Sequence, residues 1–276
     1  MAKAPVTAPV TAPGEVTPAA PPGAKLRLRT RFGLRMQREV GRCSAVFWIP
    51  ASAFIMRVVM RYRIHDAREL RKRFREVVQK TDKPILICPN HLTMADSALV
   101  TWALGGSWWY LLRYRWVPWN LPEYHNFASL WISRVAAWVT KCIPVIRGGS
   151  REHVSGVLKK IQHVMSRGDT AIIFAEGGRS RTGRIQLESI AHGMGRIVNS
   201  IPDCHALCVY LRGDRQQSWS TIPARGDSFY VDFEMFRPES QHSGMRRSAD
   251  FARQIGERLV ELEEKYLARK ALAPTP

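Results

Sequence analysis

Residues 85–104 read ILICPNHLTMADSALVTWAL and join an apolar run to a helical pattern through a polar loop. The run ILIC is typical of a buried strand, and ADSALVTWAL is typical of a helix. This order places Asn90 and His91 at the carboxyl end of the strand, where open α/β sheets bind ligands. The stretch therefore predicts an α/β fold and the position of a site.

The chain from Lys83 onward repeats this alternation of short apolar runs and amphipathic helices. Such alternation indicates βαβ units, and thus a mostly parallel or mixed sheet flanked by helices. A crossover helix should begin after Ser150, its N-cap, and end before Gly168. A final helix is expected near 247–268. Strands are predicted at residues 85–88, 108–112, 142–146, 171–174, 206–211 and 229–236.

The 276-residue chain is strongly basic, with 42 Lys and Arg against 23 Asp and Glu and a formal net charge of +19. This excess predicts attraction to polyanions, namely nucleic acid, an anionic lipid surface or phosphorylated substrates. Nine tryptophans favour the lipid surface, because amphipathic rings settle at headgroup depth. We therefore expect an anionic membrane surface as a partner, and no nucleic acid.

The five cysteines do not form a disulfide framework, because their number is odd and they are scattered, which indicates a reducing compartment. Cys204, His205 and Cys208 are close enough in sequence to suggest a metal site. No second ligand pair follows at useful spacing, so we expect no metal and interpret these cysteines as small buried hydrophobic residues.

The sequence divides into four segments. Residues 1–24 are rich in Pro, Ala, Val and Thr, predict a disordered tail and lack the features of a secretory signal. Residues 25–79 are basic and apolar and predict a membrane-associating helical segment. Residues 80–270 predict the folded body, and residues 271–276 a C-terminal tail.

The segment from Cys43 to Met56 is apolar and has arginines on both sides. It is shorter than the roughly 20 residues that a spanning helix needs, and Pro50 should kink it. We favour a helix that lies in the interface or enters one leaflet, over a buried core helix or a single span. The protein should then be associated with the cytoplasmic face of a membrane as a monotopic or peripheral protein.

His91 and Asp96 are five positions apart, which on one continuous helix would turn them about 140° away from each other. A turn between strand and helix can bring them together, and the carboxylate would then orient the imidazole as a general base. A structural interpretation is also open at this point. Thr93 and Asp96 form a capping-box-like pair, and aspartate is favoured at a helix start.

Two further loops predict anion binding. In FAEGGRSRTGR, Glu176, Gly177 and Arg179 combine a backbone that can approach a ligand closely with a guanidinium suited to phosphate. The alternative is a glycine-rich turn with exposed arginines. In CIPVIRGGS, Arg147 comes just before a predicted helix N-terminus, which also attracts anions.

PNHLTMADS, CIPVIRGG and FAEGGRSRTG occur together in this order. In order and approximate spacing they resemble the motifs of the glycerolipid (lysophospholipid) acyltransferase family, typified by 1-acylglycerol-3-phosphate acyltransferase. The resemblance covers about residues 80–215. Thr93 stands in place of the family's serine, Ala175 in place of its proline and Gly178 in place of its threonine.

The resemblance implies transfer of a fatty acyl group from acyl-CoA or acyl-ACP to a lysophospholipid hydroxyl. The leading acceptor is 1-acylglycerol-3-phosphate, which would give phosphatidic acid. His91 would be the general base and Asp96 its orienting partner. The acyl thioester is a co-substrate, so no permanently bound cofactor and no metal are expected, and an acyl carrier protein is a candidate partner.

The same resemblance assigns the acceptor's glycerol phosphate to Glu176, Gly177 and Arg179. Further substrate-binding candidates are Asn90, Arg147, Arg113 and Arg115, where either of the last two would replace a lysine of the family. Alternative acceptors are another lysophospholipid, an amino-lipid or a glycan lipid. A basic, non-catalytic protein that binds membranes or nucleic acid is the alternative from a different class.

Overall fold

The structure is a computed structural model that describes residues 26–126, 130–146 and 148–272. The predicted tail at residues 1–24, most of the short C-terminal tail and Arg147 lie outside the described residues.

A six-stranded mixed sheet forms the centre of the molecule. Its strand order is β1-β6-β5-β2-β4-β3, and every neighbouring pair is parallel except the antiparallel pair β5 and β6. The predicted α/β class, with a mostly parallel mixed sheet flanked by helices, is confirmed. The strands are β1 (Arg63–Ile64), β2 (Ile85–Pro89), β3 (Trp119–Asn120), β4 (Ala171–Ile172), β5 (His205–Gly213) and β6 (Ser228–Phe236).

Eight α-helices surround the described part of the sheet. They are α1 (Leu28–Phe54), α2 (Ala67–Gln79), α3 (Asp96–Leu104), α4 (Ser107–Leu112), α5 (Trp131–Val139), α6 (Arg151–Met165), α7 (His192–Ser200) and α8 (Gly244–Leu272). The predicted crossover helix is α6, and its predicted cap is confirmed because Ser150 Oγ accepts a hydrogen bond from His153 N at 3.2 Å. The final helix, α8, extends beyond its predicted range at both ends.

The two faces of β2 contribute to two apolar clusters. Leu86 and Cys88 pack with α6, α7 and α8 on one side of the sheet. Ile85 and Ile87 pack with α2, α3 and α4 on the other. Because a central parallel strand is covered on both faces, all of its residues are apolar. This explains why ILIC is a continuous apolar run.

Two strand predictions were wrong, and a third was too long. Residues 108–112 form α4, which buries Trp109 and Tyr110 and exposes Trp108 and Leu112. A short apolar run does not distinguish a strand from a helix by periodicity alone. Residues 142–146 make only isolated bridges, to Asn120 at the end of β3 and to Glu123 after it, and Pro144 has no N–H to donate. The predicted strand at 171–174 is reduced to the two residues of β4.

Helix α1 packs along the body with one side and exposes apolar side chains on the other. Its buried positions are Leu34, Gln37, Gly41, Ala45 and Ile49. The helix runs through Pro50 to Phe54 and continues as a π-helical turn to Val59. Within the described residues, the stretch Leu28–Val59 is the one helix long and apolar enough to cross a membrane.

Candidate active site

The loop after β2 begins with Asn90, whose buried amide is bonded to the main chain of Leu211 in β5. Asn90 Nδ2 donates to Leu211 O at 3.1 Å, and Leu211 N donates to Asn90 Oδ1 at 2.8 Å. This pairing extends the contact of β2 with β5 by one residue beyond Pro89. Asn90, a predicted substrate-binding residue, therefore fixes the point at which the loop leaves the sheet.

The loop then folds back so that His91 meets Asp96, the first residue of α3. His91 Nδ1 lies 3.1 Å from Asp96 Oδ2. The Asp96 carboxylate is 1% exposed and also accepts hydrogen bonds from Leu92 N at 2.5 Å and Thr93 N at 2.7 Å. Thr93 Oγ1 donates to its other oxygen at 2.5 Å. The predicted contact is confirmed, and one carboxylate both closes the turn and holds the imidazole.

The imidazole of His91 is left with one accessible nitrogen. Because Nδ1 faces a carboxylate, the proton of the neutral ring belongs on Nδ1 and the lone pair on Nε2. The ring stacks on Phe174, with centroids 3.9 Å apart and an angle of 18° between the planes. Within the described residues, Nε2 has no hydrogen-bond partner, and the side chain is 12% exposed. This arrangement can accept a proton from a ligand.

The segment after β4 brings Glu176 beside the loop that contains His91. Ala175 N donates to Pro89 O at 3.2 Å, so the chain continues along β2 to its end. Glu176 Oε1 then accepts a hydrogen bond from His91 N at 3.4 Å. Burial, and to a smaller extent the nearby carboxylates of Glu263 and Asp96, raise the pKa of Glu176 to about 7, although the hydrogen bond from His91 N lowers it.

Gly177 and Arg179 follow Glu176 at the edge of the site. Gly177 has a φ of +60°, a left-handed conformation that favours glycine. The guanidinium carbon of Arg179 lies 4.7 Å from the ring centroid of Trp219, and Nη1 donates to Ser220 O at 3.4 Å. No carboxylate of the described residues forms an ion pair with Arg179. Its charge is therefore available to an anionic ligand.

Arg113 and Arg115 are not brought to this site. Arg115 O accepts a hydrogen bond from Thr170 N, at the amino end of β4. His91 follows the carboxyl end of β2, which is parallel to β4. The two arginines therefore lie at the opposite end of these strands. The prediction that one of them replaces a substrate-binding lysine is not supported by their position. Arg147 is outside the described residues.

The cysteines are buried rather than grouped as ligands, with the exception of exposed Cys43. Burial raises the pKa of Cys204 to about 12, so this thiol stays protonated at neutral pH. The interpretation of Cys204 and Cys208 as small buried hydrophobic residues is confirmed. In the described ranges, no group of three or more His, Cys, Asp or Glu residues is placed to hold a metal ion.

Sequence analysis missed two parts of the site. One is Phe174, which lay inside a predicted strand and stacks against His91. The other is the connection between β5 and β6, which we call the β5–β6 loop (residues 214–227). Ser220 N donates to Leu92 O at 3.0 Å, and Met94 N donates to Thr221 O at 3.1 Å. No spacing signal in the sequence predicts this pairing, because it joins segments more than 120 residues apart.

Sequence analysis also missed a cavity of about 200 Å³ beside α3. Its walls are mostly apolar and include side chains of α1, α3 and α4. Ser97, the neighbour of Asp96 in sequence, and Asn120 also line the cavity, and Asn120 Nδ2 donates to Ser97 Oγ at 3.0 Å. The cavity-lining side chains include Trp48, Ile49, Met56, Trp102, Tyr110 and Val117.

At this edge of the sheet, a carboxylate-oriented histidine lies in the loop after β2, and Arg179, which has no carboxylate partner among the described residues, lies in the neighbouring segment after β4. The family model described as Acyltransferase matches residues 61–212, more than half of the chain. The chain belongs to the acyltransferase family. Comparison with curated proteins gives no match.

Proposed function

We propose that the protein transfers a fatty acyl group from acyl-CoA or acyl-ACP to the free hydroxyl of 1-acylglycerol-3-phosphate, giving phosphatidic acid. The observation that carries this proposal is the pairing of His91 with Asp96, which leaves Nε2 open beside the loop of Glu176 and Arg179. A base and an anion site in contact suit an acceptor that carries both a hydroxyl and a phosphate.

In the proposed reaction, His91 Nε2 removes the proton of the acceptor hydroxyl as its oxygen attacks the thioester carbonyl. The carbon–sulfur bond of the tetrahedral intermediate then breaks. The proton on Nε2 passes to the leaving thiolate, so the products are the new ester and a free thiol. Asp96 stabilises the imidazolium between these two steps and remains ionised. No covalent acyl-enzyme is required.

The acceptor phosphate would be bound by Arg179, the main chain at Gly177 and Glu176. A guanidinium is suited to bidentate recognition of phosphate. A carboxyl whose pKa is about 7 is protonated in a large fraction of molecules at neutral pH. In that form Glu176 can donate a hydrogen bond to a phosphate oxygen rather than repel it.

The cavity beside α3 is proposed to hold the fatty acyl chain of the donor. Its walls are mostly apolar, and one of its lining residues, Ser97, directly follows Asp96 in α3. Ala98 lines the cavity and is exposed within it, so Ala98→Phe should fill part of the space and shift the preferred donor toward shorter chains. Equal rates with short and long acyl thioesters in this variant would assign the cavity another role.

Membrane attachment is proposed to use an apolar surface formed by α1, α4 and α5, which we call the apolar face. Helix α1 packs against both α4 and α5, so their exposed side chains lie on neighbouring elements. Arginines flank α1 and suit anionic headgroups of a cytoplasmic leaflet. The exposed apolar side chains include Phe47, Phe54, Trp108, Leu112, Trp131, Ile132 and Val135.

An acceptor screen tests the proposed activity. Purified protein is incubated with labelled acyl-CoA or acyl-ACP and a panel of lysophospholipids, amino-lipids and glycan lipids, and products are identified by mass. We expect labelled phosphatidic acid from 1-acylglycerol-3-phosphate. A product from another acceptor only would replace the acceptor, and no transfer to any lipid by the wild-type protein would refute the activity.

A further inference from the structure

The β5–β6 loop contacts both halves of the candidate site. The main chain of Ser220 and Thr221 forms hydrogen bonds with the loop after β2, which contains His91. Trp219 also lies against Arg179. Arg179 belongs to residues 175–184, which we call the anion-binding loop because of its proposed role. The β5–β6 loop begins at Asp214, just beyond the end of the family match at Arg212. It therefore adds a wall to the site that the matched region does not supply.

Arg212 fixes the base of the β5–β6 loop. Its guanidinium donates to Gln216 O at 2.9 Å, to Gln217 O at 2.8 Å and to Gly183 O across the gap to the anion-binding loop. A Cβ atom at Gly183 would lie 2.5 Å from Gln217 O, and the φ of Gly183 is +70°. The two loops approach so closely that only glycine fits between them, which leaves Trp219 little freedom to move away from Arg179.

Trp219 restrains the orientation of Arg179. A free arginine side chain has many rotamers and loses that freedom when it binds a ligand. Here the indole holds the guanidinium from one side at 4.7 Å, and Ser220 O accepts one of its N–H groups. The remaining N–H groups stay available to phosphate. Trp219 is 46% exposed, so the ring borders the open part of the site.

We propose that Trp219 is a positioning residue for the acceptor phosphate and that the β5–β6 loop forms one wall of the acceptor site. This inference rests on the proposed function. Trp219 would act through Arg179, by holding its guanidinium in the orientation that binds phosphate, and would not contact the reacting atoms. Its contribution should therefore appear in the binding of the acceptor and leave the chemical step unchanged.

Kinetics of Trp219→Ala and Trp219→Phe test this role. With 1-acylglycerol-3-phosphate as acceptor, Trp219→Ala should raise KM about tenfold and change kcat less than about twofold. Trp219→Phe keeps an aromatic face and should restore most of the affinity. Met245→Ala, which removes an exposed apolar side chain of α8, outside the β5–β6 loop, is the control and should leave KM unchanged.

An unchanged KM in Trp219→Ala would overturn the inference. So would an equal fall in kcat for the alanine and phenylalanine variants, because that pattern indicates a general structural role. A uniform loss of folding in both variants, seen by circular dichroism, would also count against a local positioning role.

Calorimetric titration with glycerol 3-phosphate separates this inference from the proposed activity. Wild-type protein should bind this probe, Trp219→Ala about tenfold more weakly, and Trp219→Phe nearly as well as wild type. Absence of binding to the wild-type protein would refute the positioning role. Binding that depends on Trp219, in a protein that acylates no lipid, would support it and refute the proposed activity.

Discussion

The Asp96 carboxylate lies 3.1 Å from His91 Nδ1 and at the same time accepts hydrogen bonds from the main-chain N–H groups of Leu92 and Thr93, in the turn that separates the two residues. The orientation of the imidazole and the shape of the loop therefore depend on one group. Substitutions at these two positions should consequently differ in their effects. Loss of the imidazole should affect chemistry alone, whereas loss of the carboxylate should affect chemistry and folding.

His91→Ala should lower kcat about 10²- to 10⁴-fold without changing the free energy of unfolding by more than about 1 kcal/mol. Asp96→Asn should also lower kcat, and it should destabilise the protein by about 2–4 kcal/mol, because an amide NH₂ group would face buried donors. Urea unfolding measures the change in the free energy of unfolding, and steady-state kinetics measure the change in kcat. His242→Ala, at an exposed histidine, is the control. Full activity in His91→Ala would eliminate the proposed base.

Thr93 is fully buried, and its hydroxyl donates to Asp96 Oδ1 at 2.5 Å. Thr93→Val removes this donor at similar volume and should lower stability by about 1–2 kcal/mol and activity several-fold. Thr93→Ser keeps the hydroxyl and should retain most of the activity. Wild-type stability and activity in Thr93→Val would show that the hydroxyl is not required at this position.

Glu176 should make stability depend on pH between its ordinary carboxyl pKa of 4.5 and its raised pKa of about 7. In this window the folded protein keeps a proton that the unfolded chain has released. Stability should therefore fall as pH rises through the window and level off above it. Glu176→Gln cannot ionise and should flatten this dependence. Thermal unfolding of both proteins from pH 4 to 8 measures it, and parallel curves would contradict the raised pKa.

Asp169 should be essential for the attachment of α1. Its carboxylate accepts hydrogen bonds from Arg38 Nε at 3.0 Å and Trp119 Nε1 at 2.9 Å, and lies 3.6 Å from the buried Lys141 Nζ. Asp169→Asn should destabilise the protein by about 3–5 kcal/mol, because a fully buried ammonium would lose its carboxylate. Asp203→Asn removes an exposed carboxylate with two cationic partners and should cost less than about 1 kcal/mol. Similar urea midpoints for the two variants would refute this role.

The apolar face should determine membrane binding. Trp131 and Ile132 of α5 are 72% and 61% exposed, so replacing both with Asp should leave the fold intact. Sedimentation with vesicles that contain anionic lipid should fall at least about tenfold, since each side chain would lose the burial of its apolar surface. Met245→Asp, at an exposed methionine of α8, is the control. Unchanged sedimentation of the double variant would exclude α5 from the interface.

The sequence predicts those parts of this fold that depend on local patterns. α6 combines a clear apolar period with a capping serine, β2 is a continuous apolar run, and β5 and β6 were placed within two residues of their ends. The strand prediction at 108–112 was wrong because a buried strand and a short, partly buried helix can have the same apolar composition. Partial exposure of its ends, which only the structure shows, decides between them.

The candidate site was predictable where its residues are near in sequence or follow neighbouring strands. His91 meets Asp96 through a turn of four residues, and Glu176 meets His91 because β4 runs beside β2. The contact of Trp219 with Arg179 in the site, and that of Arg38 with Asp169 elsewhere in the molecule, were not predictable, since each joins segments distant in sequence. Arg115 illustrates the opposite case. It was predicted to bind substrate from its place in the sequence, but it lies at the other end of the parallel strands from His91.

Gly41 has a consequence for how the protein would meet lipid. A Cβ atom there would lie 2.5 Å from Val139 O and 2.6 Å from Tyr114 Oη, so α1 lies so close to the body at this position that only glycine fits. At its far end, Val59 O and Met60 O accept hydrogen bonds from Arg225 and Gly226 of the β5–β6 loop. If α1 is seated in a leaflet as proposed, these contacts would fix the height of His91, the proposed base, above the bilayer. The proposed enzyme would then select lipids by the depth of the hydroxyl as well as by the headgroup.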